Sequence, residues 1–143
     1  MSVVLDTNAL MMPVECDVRL FEELGRLLGS SVPAHAAGQS SGDEPPGEEF
    51  LVPEAVLAEL AKLADGSGEE ATAASVGQDL ARERCRSVSH EAGYADDAVV
   101  ECASDEAVTH AVTNDGPLKH RLLDANVPVI SLRGTNKLAV TQP

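Results

Sequence analysis

The chain has 143 residues, with 24 acidic side chains against 10 lysines and arginines and a formal net charge of −14. That length suits one domain around one core. No run approaches the roughly 18 apolar residues of a membrane span and no signal peptide opens the chain, so a cytoplasmic protein without a membrane partner is expected.

Ser2 to Asp6 is a short, β-branched, apolar run that reads as a buried strand, with Asp6-Thr7-Asn8 at its carboxyl end. Asp17 can cap a helix whose apolar stripe is Leu20, Phe21, Leu24, Leu27 and Leu28, ended by Gly29. Residues 30–49 are acidic and rich in Gly, Ser and Pro without any period, so they read as a flexible insertion; His35 inside it reads as solvated.

Phe50-Leu51-Val52 predicts a second strand. Pro53 then suits the first position of a helix carrying Val56, Leu57, Leu60, Leu63 and Ala64. Gly66-Ser67-Gly68 breaks it, and an alanine-rich helix follows over residues 69–85, with a short strand around 86–89. A helix is expected from Asp96-Asp97 to about Asp105, and a strand from Ala107 to Thr113. Asn114-Asp115-Gly116-Pro117 turns into a helix capped by Asp115, with Leu118, Leu122 and Leu123 inward. Val127 to Ser131 reads as the last strand, and the tail after it has no pattern. Strands alternating with helices imply a three-layer α/β/α fold with a central, mainly parallel sheet over residues 1–143, whose sites form where loops leave the carboxyl ends of strands.

The composition narrows the partners. Only Lys62, Lys119 and Lys137 are lysines, and this alanine-rich, acid-rich, lysine-poor balance resembles a cytoplasmic protein from an extreme halophile. At molar salt the Debye length is about 3 Å, so the net charge does not exclude nucleic acid, although phosphate contacts weaken too. A basic partner is the other reading of the acidity. Two Phe, one Tyr and no Trp argue against base stacking as the main grip on a nucleic acid. Cys16, Cys85 and Cys102 have neither the spacing of a zinc site nor that of a disulfide framework.

The carboxylates carry the chemistry. Hard cations such as Mg²⁺ and Mn²⁺ take oxygen ligands, and several acids converging on them can run phosphodiester hydrolysis with no nucleophilic Ser, Cys or His. Asp6 ends an apolar strand, where an ionised group must reach solvent or a partner. A plain helix cap explains it as well. Glu59 lies at the edge of its helix's apolar stripe, a place that solvated acids also take. Asp96 shares a face with Val99, Val100 and Ala103, whereas Asp97 lies toward the polar side. Either can cap the helix, and the other can reach a metal.

In order, these segments resemble the motifs of the PIN-domain ribonucleases. Asp6-Thr7-Asn8 after the first strand is similar to the opening motif, and Val52 to Leu60 to the second, with Glu59 in the acidic place. Ala95 to Val100 and Val112-Thr113-Asn114-Asp115 are similar to the third and fourth. The resemblance spans nearly the whole chain except residues 30–49. It implies a PIN-like α/β/α domain in which Asp6, Glu59, Asp97 and Asp115 bind Mg²⁺ or Mn²⁺ and are catalytic, with Asn8 and Thr113 in support. The eighteen-residue step from Asp97 to Asp115 fits the family pattern, with Asp96 as the alternative to Asp97.

The Ala-Asp-Asp motif and the ending Val127 to Arg133 are most similar to the archaeal branch related to the PIN nuclease of small-subunit rRNA processing, with VapC-type toxins as close relatives. The resemblance therefore implies a metal-dependent endoribonuclease leaving 5′-phosphate and 3′-hydroxyl ends. It also implies RNA, a homodimer, and an antitoxin or ribosome-assembly partner as its associates. Lys119, Arg121, Arg133 and Lys137 are candidates for holding phosphates, and His120 for a general acid. The rival readings are a catalytically silent PIN-like domain that binds RNA or protein during ribosome assembly, and a VapC-type toxin. A haloacid-dehalogenase-type phosphatase with Asp6 as nucleophile ranks last, because that class wants a second Asp where this chain has Asn8.

Overall fold

The computed structural model describes residues 2–28 and 49–143. Apart from Glu49, the expected insertion, with His35, lies outside the described residues, as does Gly29. Among the described residues the elements are β1 (Ser2–Leu5), α1 (Thr7–Glu15), α2 (Leu20–Leu28), β2 (Glu49–Pro53), α3 (Glu54–Ala64), α4 (Gly68–Arg84), β3 (Arg86–Val88), α5 (Ala95–Ala103), β4 (Val108–Val112), α6 (Gly116–Asp124), β5 (Val129–Arg133) and β6 (Lys137–Thr141).

They form one six-stranded sheet in the order β3-β2-β1-β4-β5-β6. Every pairing is parallel except β5 with β6. All four residues of β1 are buried, as a strand covered on both faces requires. It lies between β2, with Val4 opposite Leu51, and β4, with Leu5 opposite Val112. The carboxyl ends of the five parallel strands therefore share one edge, and β1 delivers Asp6 to its middle. The fold is the expected α/β/α arrangement.

Two elements depart from the sequence-based expectation. Helix α1 follows Asp6 at once, although the sequence there predicts no helix. Its residues Thr7, Ala9, Leu10, Met11 and Met12 are all buried, so it lacks the one-sided apolar period that marks a surface helix, and Pro13 inside it reads as a breaker. Packing compensates. Helix α1 lies against α4, where Gly77 admits so close an approach that a Cβ would stand 3.0 Å from the Leu10 carbonyl oxygen. The other departure is β6, in the tail read as unpatterned. It pairs with β5 through a turn in which Gly134 takes φ 71°, a conformation open to glycine. Only Leu138 in it is fully buried, so its alternation is faint.

Smaller differences concern caps. Pro53 ends β2 and stands at the N-cap of α3 rather than inside the helix. Asp17, read as a cap for α2, takes φ 55° in the preceding turn, and Arg19 offers the carbonyl that accepts from the Glu23 amide.

Strand β6 ends the sheet, and an open edge invites pairing with other chains. Helix α2 closes it. Glu23, 8% exposed, accepts a hydrogen bond from the Leu138 amide at 3.0 Å, and Arg26 donates to the Leu138 carbonyl at 2.9 Å. Arg26 also bonds Glu23 at 2.8 Å. The hydrogen bonds from Arg26 and Leu138 hold the Glu23 carboxyl down from 4.5 to about 2. A depressed carboxyl stabilises the fold above its unfolded pKa and loses that contribution as pH falls through the folded value. Glu23→Gln is therefore expected to cost about 1–3 kcal/mol at neutral pH, with the deficit shrinking as pH falls from 4.5 toward 2. Urea unfolding of both proteins across that range checks it.

Candidate metal and nucleic-acid site

At the carboxyl edge of the sheet a cleft of about 320 Å³ is lined by Asp6, Thr7, Asn8, Met11, Glu15, Glu59, Leu63, Glu70, Asp96 and Asp115. Four segments far apart in sequence thus bring Asp6, Glu59, Asp96 and Asp115 to one place. A second cavity of about 390 Å³, which includes Val52, Leu57, Ala81 and Cys85, has no acid in its wall. Chemistry rather than size singles out the acidic cleft.

Asp6 is 4% exposed and caps α1, its Oδ1 accepting from the Ala9 amide at 2.7 Å. Its Oδ2 accepts from the Thr113 hydroxyl at 2.5 Å. Capping is thus one of its jobs. Burial nevertheless pushes its carboxyl up to about 7 against those two hydrogen bonds, and Asp96 and Asp115 add like charge. Partial desolvation at the cleft wall also raises the exposed Asp96, with Asp115 and Glu59 as the next causes.

Thr113 is fully buried and joins two of the acids. Its Oγ1 donates to Asp6 and accepts from the Asp115 amide at 3.1 Å. Asp115 in turn caps α6, its Oδ1 accepting from the Leu118 amide at 3.0 Å. On the other side of the cleft the Thr7 hydroxyl donates to Glu59 Oε1. Asn8 Oδ1 accepts from the Asn114 amide at 2.9 Å, and Asn114 Oδ1 accepts from the Leu132 amide at 3.3 Å. The first turn of α1, the loop after β4 and strand β5 are laced together by these side chains.

The residues picked from sequence divide accordingly. Asp6, Glu59 and Asp115 line the cleft, Asn8 both lines it and anchors the neighbouring loop, and Thr113 lies beneath it. Of the neighbouring pair, Asp96 faces the cleft. Asp97, preferred on spacing, lies at 2.9 Å in an ion pair with Arg121. Successive helical residues point about 100° apart, and a count of residues to Asp115 carries no information about that phase.

The basic candidates are spread among other partners. Lys119 donates to Ser131 at 3.3 Å, Arg121 holds Asp97, and Lys137 lies 3.9 Å from Glu23. Arg133 is opposite Lys137 in the β5–β6 pair and is exposed, as is His120. The Arg121–Asp97 ion pair is half exposed and worth at most about 1 kcal/mol, so a phosphate can displace it.

Three residues with no assigned role support the site. Thr7 and Asn114 sit inside the motifs and were legible there. His90 was not. Its Nε2 accepts from the Ala55 amide at 2.9 Å, which ties the loop after β3 to the first turn of α3 and fixes the ring with its proton on Nδ1. That Nδ1 is buried without a hydrogen-bond partner among the described residues.

The donor set suits a hard cation, because the cleft offers carboxylate oxygens and the like charges around Asp6 are what a cation would relieve. Among the described residues no three His, Cys, Asp or Glu side chains stand close enough together to hold a metal ion as they are placed. Glu59 and Asp96 are exposed and on helices, so the fit concerns donor type and sides of the cleft.

A family model described as a PIN like domain matches residues 3–36 and 46–135. The structure is similar to that of the PIN domain endonuclease Utp24, with a TM-score of 0.71 and 24% identity, covering 99% of this chain and 92% of that one. At that identity the likeness concerns the fold. No curated protein matches the chain.

Thr113→Val keeps the shape of the side chain but leaves Asp6 Oδ2 and the Asp115 amide without their shared partner. A loss of about 1–3 kcal/mol is expected, with Thr113→Ser close to wild type; urea midpoints compare the three.

Proposed function

This chain belongs to the PIN-like domain family, and on that premise we propose that it is a metal-dependent endoribonuclease that hydrolyses RNA phosphodiesters in the acidic cleft. The observation that carries the reading is the meeting of Asp6, Glu59, Asp96 and Asp115 in that cleft, from the ends of β1 and β4 and from α3 and α5. The fold it shares with a PIN domain endonuclease supports the same reading. Processing of rRNA is the role we propose, on the similarity of the Ala95-Asp96-Asp97 motif and the Val127 to Arg133 ending to the rRNA-processing branch.

In this reading Asp6, Glu59, Asp96 and Asp115 would hold Mg²⁺ or Mn²⁺. Such an ion supplies a lowered pKa for water and positive charge beside the phosphoryl group. The chain's own contribution is preorganisation. Asp6 is fixed by the Ala9 amide and Thr113, Asp115 by the Leu118 amide, and Glu59 by Thr7. The bonds to Glu59 and Asp115 engage one oxygen of each carboxyl and leave the other for a ligand. Lys119 and Arg133 hold RNA phosphates, joined by Arg121 and Lys137 when phosphate replaces their acidic partners. Asp97 keeps Arg121 beside the cleft.

A catalytically silent PIN-like domain that binds RNA or protein is the second reading, favoured because among the described residues no three acids stand close enough together to hold a metal ion. Cleavage separates the two. With Mn²⁺ in molar KCl, the wild type should cut RNA to 5′-phosphate and 3′-hydroxyl ends. Asp96→Asn should lower the rate at least about a hundredfold, as loss of charge at a reacting centre does, while Asp97→Asn should stay within about tenfold. An inactive wild type, with folding intact by circular dichroism, sinks the nuclease reading. Equal activity of Asp96→Asn and wild type removes Asp96 from it.

A further inference from the structure

The chain has two Phe, one Tyr and no Trp. Phe21 and Phe50 pack edge to face with ring centroids 5.1 Å apart, and Arg84 lies 4.4 Å over the Phe21 ring. Both are spent on packing. Tyr94 is different: at 77% exposed it stands out in the solvent.

It occupies the N-cap position of α5, two residues ahead of Asp96 in the cleft wall, yet its side chain makes no capping hydrogen bond. The segment that bears it is nonetheless fixed. Glu101 accepts from the amides of Glu91 at 2.9 Å and Ala92 at 3.0 Å, His90 is tied to Ala55, and the Tyr94 carbonyl accepts from the Ala98 amide. With the backbone of the segment fixed, only the rotamers of the tyrosine side chain remain to be ordered when something stacks on its ring.

The charge of the chain says what should stack. With 10 lysines and arginines against 24 acids and an acidic cleft, cations to hold phosphates are scarce, and salt weakens the contacts that they make. Contact with the face of a base needs no cation and survives salt. Resting on the nuclease reading, we propose that Tyr94 is a positioning residue, a platform on which one base of single-stranded RNA stacks beside the phosphate held in the cleft. The single tyrosine then offsets part of what the missing lysines do not supply.

The absence of Trp makes the test direct, because the chain's tyrosine emission comes from Tyr94 alone. A short single-stranded oligoribonucleotide is titrated in molar KCl onto Glu59→Gln protein, which in this reading leaves RNA uncut. The expected results are quenched emission with the RNA and none with an abasic strand of the same length. By anisotropy of labelled RNA, Tyr94→Ala should bind about tenfold more weakly, and Tyr94→Phe like its parent. RNA that is bound and cut by wild type, with Tyr94 emission unchanged and Tyr94→Ala binding equally well, overturns the platform and leaves the nuclease reading intact. Wild type that neither binds nor cuts RNA overturns both, and emission that responds to a protein partner but not to RNA makes Tyr94 a protein contact instead.

Discussion

The constraint on which the site depends is a carboxylate at the end of a fully buried strand. β1 runs through the middle of the sheet with every residue covered, and the next residue is an acid that the chain must satisfy inside. It does so with the N-terminus of α1 on one oxygen and Thr113 on the other. Each bond commits another element: α1 must start at Thr7, and β4 must end where Thr113 can bridge Asp6 and the Asp115 amide. The remaining misfit shows in the Asp6 carboxyl, which sits at about 7 although both hydrogen bonds favour its ionised form. A buried acid surrounded by further acids is costly alone and well suited to a cation.

The same feature explains what the sequence made legible. A short apolar run with Asp at its end, and Asp-Gly-Pro opening a helix, are local signals, so β1, β4, α6 and their acids could be read directly. Parallel topology followed from alternation, and it put the acids on one edge. Helix α1 escaped because burial on nearly all sides erases the amphipathic period and because Pro13 looks like a terminator. Strand β6 escaped because an edge strand clipped by Glu23 and Arg26 needs only one deeply buried side chain. The choice between Asp96 and Asp97 turns on helix phase, which depends on where α5 begins, and boundaries are the part of a helix that sequence specifies least. His90 had no local signal at all, since its partner, the Ala55 amide, is far away in the chain.

Charge is used in two opposed ways in this molecule. At the β6 edge, Glu23 is paired and held low at about 2, so its charge contributes stability. In the cleft, acids face one another with Asp6 and Asp96 held high, so their repulsion opposes the fold that the caps made by Asp6 and Asp115 support. Asp6 and Asp115 thus serve both the fold and the cleft, and the network of Thr7, Asn8, Thr113 and Asn114 keeps the acids there in place despite their repulsion.

The central claim is that Asp6, Glu59, Asp96 and Asp115 surround one cation site. A crystal soaked in Mn²⁺ tests it most directly through anomalous scattering, which places the metal without reference to activity. The account predicts one or two peaks in the cleft with oxygens of these acids as ligands. No peak there, or one held by Asp97 on the Arg121 side, would contradict it.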